Sequence, residues 1–90
     1  LTTNVNLDFK IFPNPTSDYI NIKFNVSYIN FENVELFIYD IFGKQILTKK
    51  LTQKSWANLQ LNVADLSNGV YLVKILSENY SGERRFTVTH

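Results

Sequence analysis

VYLVKIL, residues 70–76, is the stretch that decides the fold, because its apolar side chains recur with a period of two. Successive side chains of a β-strand point to opposite faces, so Tyr71, Val73 and Ile75 form one face and Leu72, Lys74 and Leu76 the other. The stretch VELFIY, residues 34–39, repeats this pattern. Both stretches therefore predict strands that are apolar on one whole face and on part of the other.

Five further stretches alternate in the same way or more weakly: residues 9–12, 20–26, 44–51, 59–64 and 85–89. Turn-forming residues separate the stretches, at residues 13–18, 42–44, 65–69 and 78–83. No window has the 3.6-residue apolar period of a helix. Seven short strands without a helix predict an all-β fold, a two-sheet antiparallel sandwich with Greek-key connections.

Length and composition limit the function classes. Ninety residues make one domain. Residues 1–8 alternate weakly, and we expect them to be a linker or a frayed leading segment outside the core, with the domain spanning residues 9–90. The net charge of +1 gives no electrostatic basis for binding nucleic acid or an anionic membrane. The chain has no Cys and no Met, so thiolate chemistry is excluded and the sequence is expected to be a piece of a longer protein.

The residues offer little for catalysis. The one His, His90, is the last residue, and the eight Asp and Glu residues are scattered over strand ends and loops. No glycine-rich phosphate loop or nucleophile motif is present. We therefore predict no enzyme activity, no cofactor and no catalytic residue. A calcium site in the loops that hold Asp18, Asp40 or Asp65 is an open alternative, although these residues lack clustered ligand spacing.

Aromatic and aliphatic residues suggest binding surfaces. If residues 34–39 and 70–76 pair, Phe37, Tyr39, Leu72 and Leu76 form an apolar patch on the outside of the sandwich, and such patches mark docking sites. Covering of this patch by loops or by the N-terminal segment is the alternative. Trp56, with Tyr28 or Tyr80, is a second candidate, either as a sugar-stacking platform or as core filling.

Three motifs in order resemble those of a known family. FKIFPNPT (residues 9–16) followed by YINI (19–22) is similar to the opening motif of the type A C-terminal sorting domains of the type IX secretion system of Bacteroidetes. VELFIYDIFGKQI (34–46) is similar to the central motif, and LNVADLSNGVYLVKI (61–75) to the third.

The resemblance implies an immunoglobulin-like sandwich and a function that composition does not show. Such domains lie at the C-terminal end of secreted proteins and target a periplasmic passenger through the outer-membrane type IX translocon. A sortase-like surface peptidase commonly removes them afterwards, and the passenger reaches the cell surface or the medium. The partners implied are that translocon, that peptidase and the upstream passenger. A non-catalytic immunoglobulin-like spacer or carbohydrate-binding module of a secreted enzyme is the alternative.

The motifs also give candidate recognition residues. Prolines limit the conformations of the first turn, and glycines permit turns that a β-carbon disfavours. Cationic side chains are candidates for surface contacts. The predicted set comprises Pro13, Asn14, Pro15, Gly43, Lys44, Gly69, Tyr71, Lys74, Arg84 and Arg85.

Overall fold

The computed structural model describes residues 5–24, 34–51, 59–77 and 80–90. In these ranges the chain forms eight strands and no helix: β1 (Val5–Asn6), β2 (Phe9–Phe12), β3 (Tyr19–Phe24), β4 (Val34–Tyr39), β5 (Gln45–Leu51), β6 (Leu59–Asn62), β7 (Gly69–Leu76) and β8 (Tyr80–Val88). β1 has only two residues, so the prediction of about seven strands is confirmed. None of the described residues belongs to a helix long and apolar enough to cross a bilayer.

The strands form two sheets. One has the order β1-β8-β7-β4-β5 and the other the order β2-β3-β6. All pairings are antiparallel except that of β1 with β8, which is parallel. β3 pairs with β6, although β4 and β5 lie between them in the chain and belong to the other sheet. This is the Greek-key, immunoglobulin-like sandwich that the sequence and the family resemblance predicted.

The core lies between the sheets, and the period-two pattern fills it. β4 and β7 contribute the residues predicted to face inward, and β3 and β6 of the smaller sheet also bury alternate side chains. In β5 only Leu51 is buried. Phe9 packs against Phe24 with ring centroids 6.0 Å apart, and Tyr71 stacks on Phe86 at 5.6 Å. Burial of this apolar surface is the main stabilising contribution in a domain without Cys.

Two predictions about segments are wrong. Leu7 was expected outside the core with the rest of residues 1–8, but its side chain is 2% exposed and packs in the core. The polar stretch at residues 78–83 was predicted as a loop, but β8 begins at Tyr80 and pairs with β7 from Ser81 onwards. A strand forms there despite the polar composition because β7 supplies a continuous ladder of hydrogen-bond partners as far as Leu76.

The ends of the sandwich differ in what they hold. One end, which we call the motif end, carries the turns at residues 13–18, 40–44 and 63–68, together with the end of β8. The opposite end, the entry end, carries β1 and the connection between β7 and β8, so the upstream chain joins the domain there. The turns of all three family motifs therefore lie together, at the end away from the upstream chain.

Candidate functional site: the motif end and the outer face of the large sheet

The proline turn is fixed to the last strand. The side-chain Oδ1 of Asn14 accepts a hydrogen bond of 2.9 Å from the backbone N–H of Thr87. Thr16 then forms a parallel bridge with Val88, donating its N–H to the carbonyl of Thr87 and accepting from the N–H of Thr89. The Thr16 side chain is buried and donates to the carbonyl of Tyr19. The first motif and the end of the chain therefore form one structural unit.

Pro13 and Pro15 lie on the surface of this turn. Both are exposed, and both follow a cis peptide bond. The prediction that residues 13–18 interrupt the strands is confirmed. A role for Pro13, Asn14 and Pro15 in recognition stays a prediction.

The central motif forms a tight turn organised by Asp40. Its Oδ1 accepts hydrogen bonds of 2.9 Å from the backbone N–H groups of both Phe42 and Lys44. The backbone of Asp40 also exchanges hydrogen bonds with Gly43 and Lys44. Gly43 has a φ of +81°, a left-handed conformation that side chains with a β-carbon disfavour, which confirms the predicted glycine turn.

The third motif joins the same end through Tyr71. The hydroxyl of Tyr71 donates a 2.7 Å hydrogen bond to the carbonyl of Ser67, which fixes the turn before β7. Gly69 has a φ of +159°, close to full extension, and a Cβ there would meet only Tyr71, at an ordinary distance of 3.9 Å. The turn at residues 65–68 is thus present. Gly69 is not part of the turn but the first residue of β7.

His90 closes the motif end. Its backbone N–H donates to Oδ1 of Asn68, and its ring Nε2 lies 2.7 Å from the carbonyl of Leu66, where it donates. The last residue is therefore ordered by the third motif. Among the described residues, no three His, Asp or Glu side chains lie close enough together to hold a metal ion. That finding does not support the alternative of a calcium site.

The predicted apolar patch exists on the outer face of the five-stranded sheet. β4 pairs with β7, and the alternate residues of both strands are buried, so Phe37, Tyr39 and Leu72 face outward. The rings of Phe37 and Tyr39 stack with centroids 6.1 Å apart. Phe37, Tyr39 and Leu72 are half-buried, whereas Leu76 is 40% exposed. We call this surface the outer-face patch.

The N-terminal segment does not lie over this patch in the described part of the chain. Residues 5–8 run along β8, and Leu7 points into the core between the sheets. Lys74 lies opposite Phe37 in the ladder and is half-buried in the patch.

The predicted cationic pair Arg84 and Arg85 is divided between the two faces of β8. Arg84 lies opposite the core residue Val73, whereas Arg85 lies opposite the outward-facing Leu72. Arg84 forms a salt bridge of 2.6 Å with Asp8 and places its guanidinium 5.6 Å from the centre of the Phe9 ring. Arg85 has no ion-pair partner among the described residues and adjoins the outer-face patch. Of the two, Arg85 is the candidate for contact with a partner.

Two structurally important residues were missed by the sequence analysis. Leu7 donates its N–H to the carbonyl of Ser81 at 2.8 Å, and its own carbonyl oxygen lies directly against Gly82. A Cβ at Gly82 would overlap that oxygen, so this position requires glycine. A glycine inside a strand is the signal that could have indicated the close approach of a second backbone.

The sugar-platform candidates are only partly described. Trp56 and Tyr28 lie outside the described residues. Tyr80 is half-buried and packs against the core rather than standing free on the surface.

Comparison with known proteins identifies the family. No curated protein matches the chain. The model of one family, described as the secretion system C-terminal sorting domain, matches residues 10–89, which include all three motifs except Phe9, the turns of the motif end and the outer-face patch. The chain belongs to the C-terminal sorting domain family of the type IX secretion system, and its function is that of a C-terminal sorting signal.

Proposed function

We propose that this domain delivers an upstream passenger protein from the periplasm to the outer-membrane type IX translocon, and that a sortase-like surface peptidase then removes the domain. Membership of the family supports secretion to the cell surface or the extracellular space by the type IX machinery. Beyond what family membership supports, we propose transit through the periplasm, binding to the outer-membrane translocon and removal of the domain by the peptidase. In this proposal, the chain before β1 connects the passenger to the sorting domain, which already includes β1 and Leu7.

One observation carries the proposal: the motif turns lie together at the end of the sandwich opposite the chain entry. A passenger attached at the entry end leaves the motif end free for a receptor. The fixed turns at Asn14, Asp40 and Tyr71 lower the entropy cost of recognition, because little ordering is needed on binding. Recognition is then independent of the passenger's sequence.

The proposed activity is binding, without catalysis by the domain itself. The backbone N–H of His90 donates to the side-chain Oδ1 of Asn68, and its ring Nε2 donates to the carbonyl of Leu66. The remaining prominent features are turns and apolar faces, which suit a docking surface. We expect no turnover of peptide or glycoside substrates by the purified domain.

A reporter fusion tests the proposal. Residues 1–90, placed behind a periplasm-directed fluorescent protein in a Bacteroidetes strain with an intact type IX system, should bring the reporter to the surface or the medium. The same fusion in a strain without a working translocon should stay in the periplasm. Deletion of residues 82–90 should abolish export, because it removes most of β8 and its core side chains Phe86 and Val88. Retention of the intact fusion, while another domain of the family exports the same reporter, would show that the proposal is wrong.

A further inference from the structure

Two adjacent apolar side chains stand in solvent at the turn of the central motif. Phe42 is 88% exposed and Ile41 is 69% exposed, whereas the other exposed large apolar residues lie between 38% and 47%. Turns usually carry polar or small residues at such positions. Neither side chain contributes to the core, so folding does not account for their apolar character. We call this pair the apolar tip.

The backbone that carries the apolar tip is held in place. Asp40 accepts two amide hydrogen bonds across the turn, and Gly43 provides the left-handed residue that closes it. The tip is therefore presented in one orientation, and binding through it does not require ordering of a loop. Large apolar side chains on a rigid support are typical of the residues that dominate binding energy at protein interfaces.

An open groove of about 370 Å³ adjoins the tip. Its walls include Ile46, Leu66 and Val70, and Val70 continues into the outer-face patch through β7. Ile41 and Phe42 also line this open groove. A fitting partner therefore needs an apolar pocket that receives the tip and a rim that covers the groove.

The charges around the groove indicate the kind of partner. Asp40 and Asp65 line it, and no Lys or Arg does so among the described residues. A second groove, which also includes Ile41, is lined by Glu83, Arg84 and Arg85, so the acidic character is confined to the first groove. Two carboxylates beside an apolar anchor are unfavourable at an anionic lipid surface and favourable opposite Arg or Lys. The upstream chain joins the domain at the other end of the sandwich, so the passenger is not placed to cover the tip.

We propose that Ile41 and Phe42 anchor the domain in an apolar pocket of a partner protein whose rim is basic. This inference rests on the proposed sorting function and names the contact by which the domain is recognised. The partner is defined by that chemistry: a concave apolar site with cationic residues opposite Asp40 and Asp65.

The export assay tests the anchor when three fusions are compared. Ile41→Ser with Phe42→Ser should lower export about tenfold or more, as expected for loss of a dominant anchor. Lys23→Ser changes an exposed side chain of β3 in the three-stranded sheet, away from the tip and from the outer-face patch, and should export like the parent domain. Melting curves of the purified domains should coincide for parent and tip variant, because the tip lies outside the core.

The outcomes separate the two proposals. If the parent fusion is not exported, the sorting proposal fails before the anchor is tested, and the anchor falls with it. If the parent is exported and the tip variant is exported within about threefold of it, the anchor proposal alone is wrong, since a dominant contact costs more than that. Equal losses of export for the tip variant and for Lys23→Ser would also overturn the anchor proposal.

Charge and lipid controls complete the test. Asp65→Lys reverses one groove charge on an exposed side chain and should lower export several-fold if the partner's rim is basic. Sedimentation of the purified domain with vesicles containing phosphatidylglycerol should show no binding. If the parent domain binds the vesicles and the tip variant does not, the tip binds a membrane and not a protein pocket, and the proposal is overturned.

Discussion

Asn14 and Thr87 are separated by 73 positions in the chain, yet Oδ1 of Asn14 accepts a 2.9 Å hydrogen bond from the backbone N–H of Thr87. The last strand therefore holds the turn of the first family motif in place. In return, the first motif supplies the hydrogen-bond acceptor for the Thr87 N–H group. The motif end cannot form from a part of the domain.

Asn14→Ala should lower the free energy of unfolding by about 0.5–1.5 kcal/mol, the usual net contribution of one hydrogen bond. Asn14→Asp keeps an acceptor at the same place and should cost less. Urea unfolding of the three proteins measures the difference. Equal stability of the parent and the alanine variant would mean that water replaces this contact without loss.

Gly82→Ala should cost on the order of 1–3 kcal/mol, because the added Cβ overlaps the carbonyl oxygen of Leu7 and forces the two backbones apart. In a protein lacking residues 1–8, the same substitution should cost much less, since the opposing backbone is gone. Thermal unfolding is measured for the parent and for Gly82→Ala, each with and without residues 1–8, and the four values form a double-mutant cycle. An equal cost with and without residues 1–8 would contradict the predicted clash.

Gly43→Ala provides a different glycine effect for comparison. No atom lies within 4 Å of the position of the new Cβ, so its cost comes only from the left-handed backbone, at about 1–2 kcal/mol. Deletion of residues 1–8 should leave this cost unchanged.

Arg84→Ala and Arg85→Ala should act on different properties. Arg84 contacts Asp8 and the Phe9 ring, but its side chain is 43% exposed, so we expect a loss of only about 0.5–1 kcal/mol, reduced by added salt. Arg85→Ala should change stability by less than about 0.5 kcal/mol. If Arg85 contacts the partner, export should fall in Arg85→Ala and not in Arg84→Ala; the opposite result would assign recognition to the other face of β8.

Tyr71→Phe should destabilise the third motif turn by about 0.5–1.5 kcal/mol, through loss of the hydrogen bond to the Ser67 carbonyl. Tyr39→Phe is the matched control, because the described residues offer its hydroxyl no hydrogen-bond partner. Chemical unfolding should separate the two variants, and indistinguishable midpoints would remove the proposed role of the Tyr71 hydroxyl.

The alternation of side chains in residues 34–39 and 70–76 was sufficient to predict the two central strands, their buried faces and the outer-face patch. The same rule, extended from the buried Phe86, places Arg84 and Arg85 on opposite faces, although they are adjacent in the sequence. The wrong predictions have a common cause. The burial of Leu7 and the strand at residues 80–83 depend on pairing between segments far apart in the chain, and weak local patterns do not report it.

The candidate site was predictable only in part. Gly43 and the prolines at residues 13 and 15 were sufficient to predict two turns of the motif end. They did not indicate that these turns lie together beside the last strand. The exposure of Ile41 and Phe42 could not be predicted either, because apolar residues next to a strand occur both in cores and on surfaces. Three-dimensional placement was needed to distinguish the two.

The parallel pairing of β1 with β8 determines how the domain bears mechanical load. When the motif end is held and the passenger pulls on the entry end, tension runs along β1 and loads its hydrogen bonds with Tyr80 and Ser81 in shear, all at once. An antiparallel hairpin pulled from its open end would instead separate one bond at a time. A pull on the chain before β1, directed along that strand, is therefore opposed by these hydrogen bonds together.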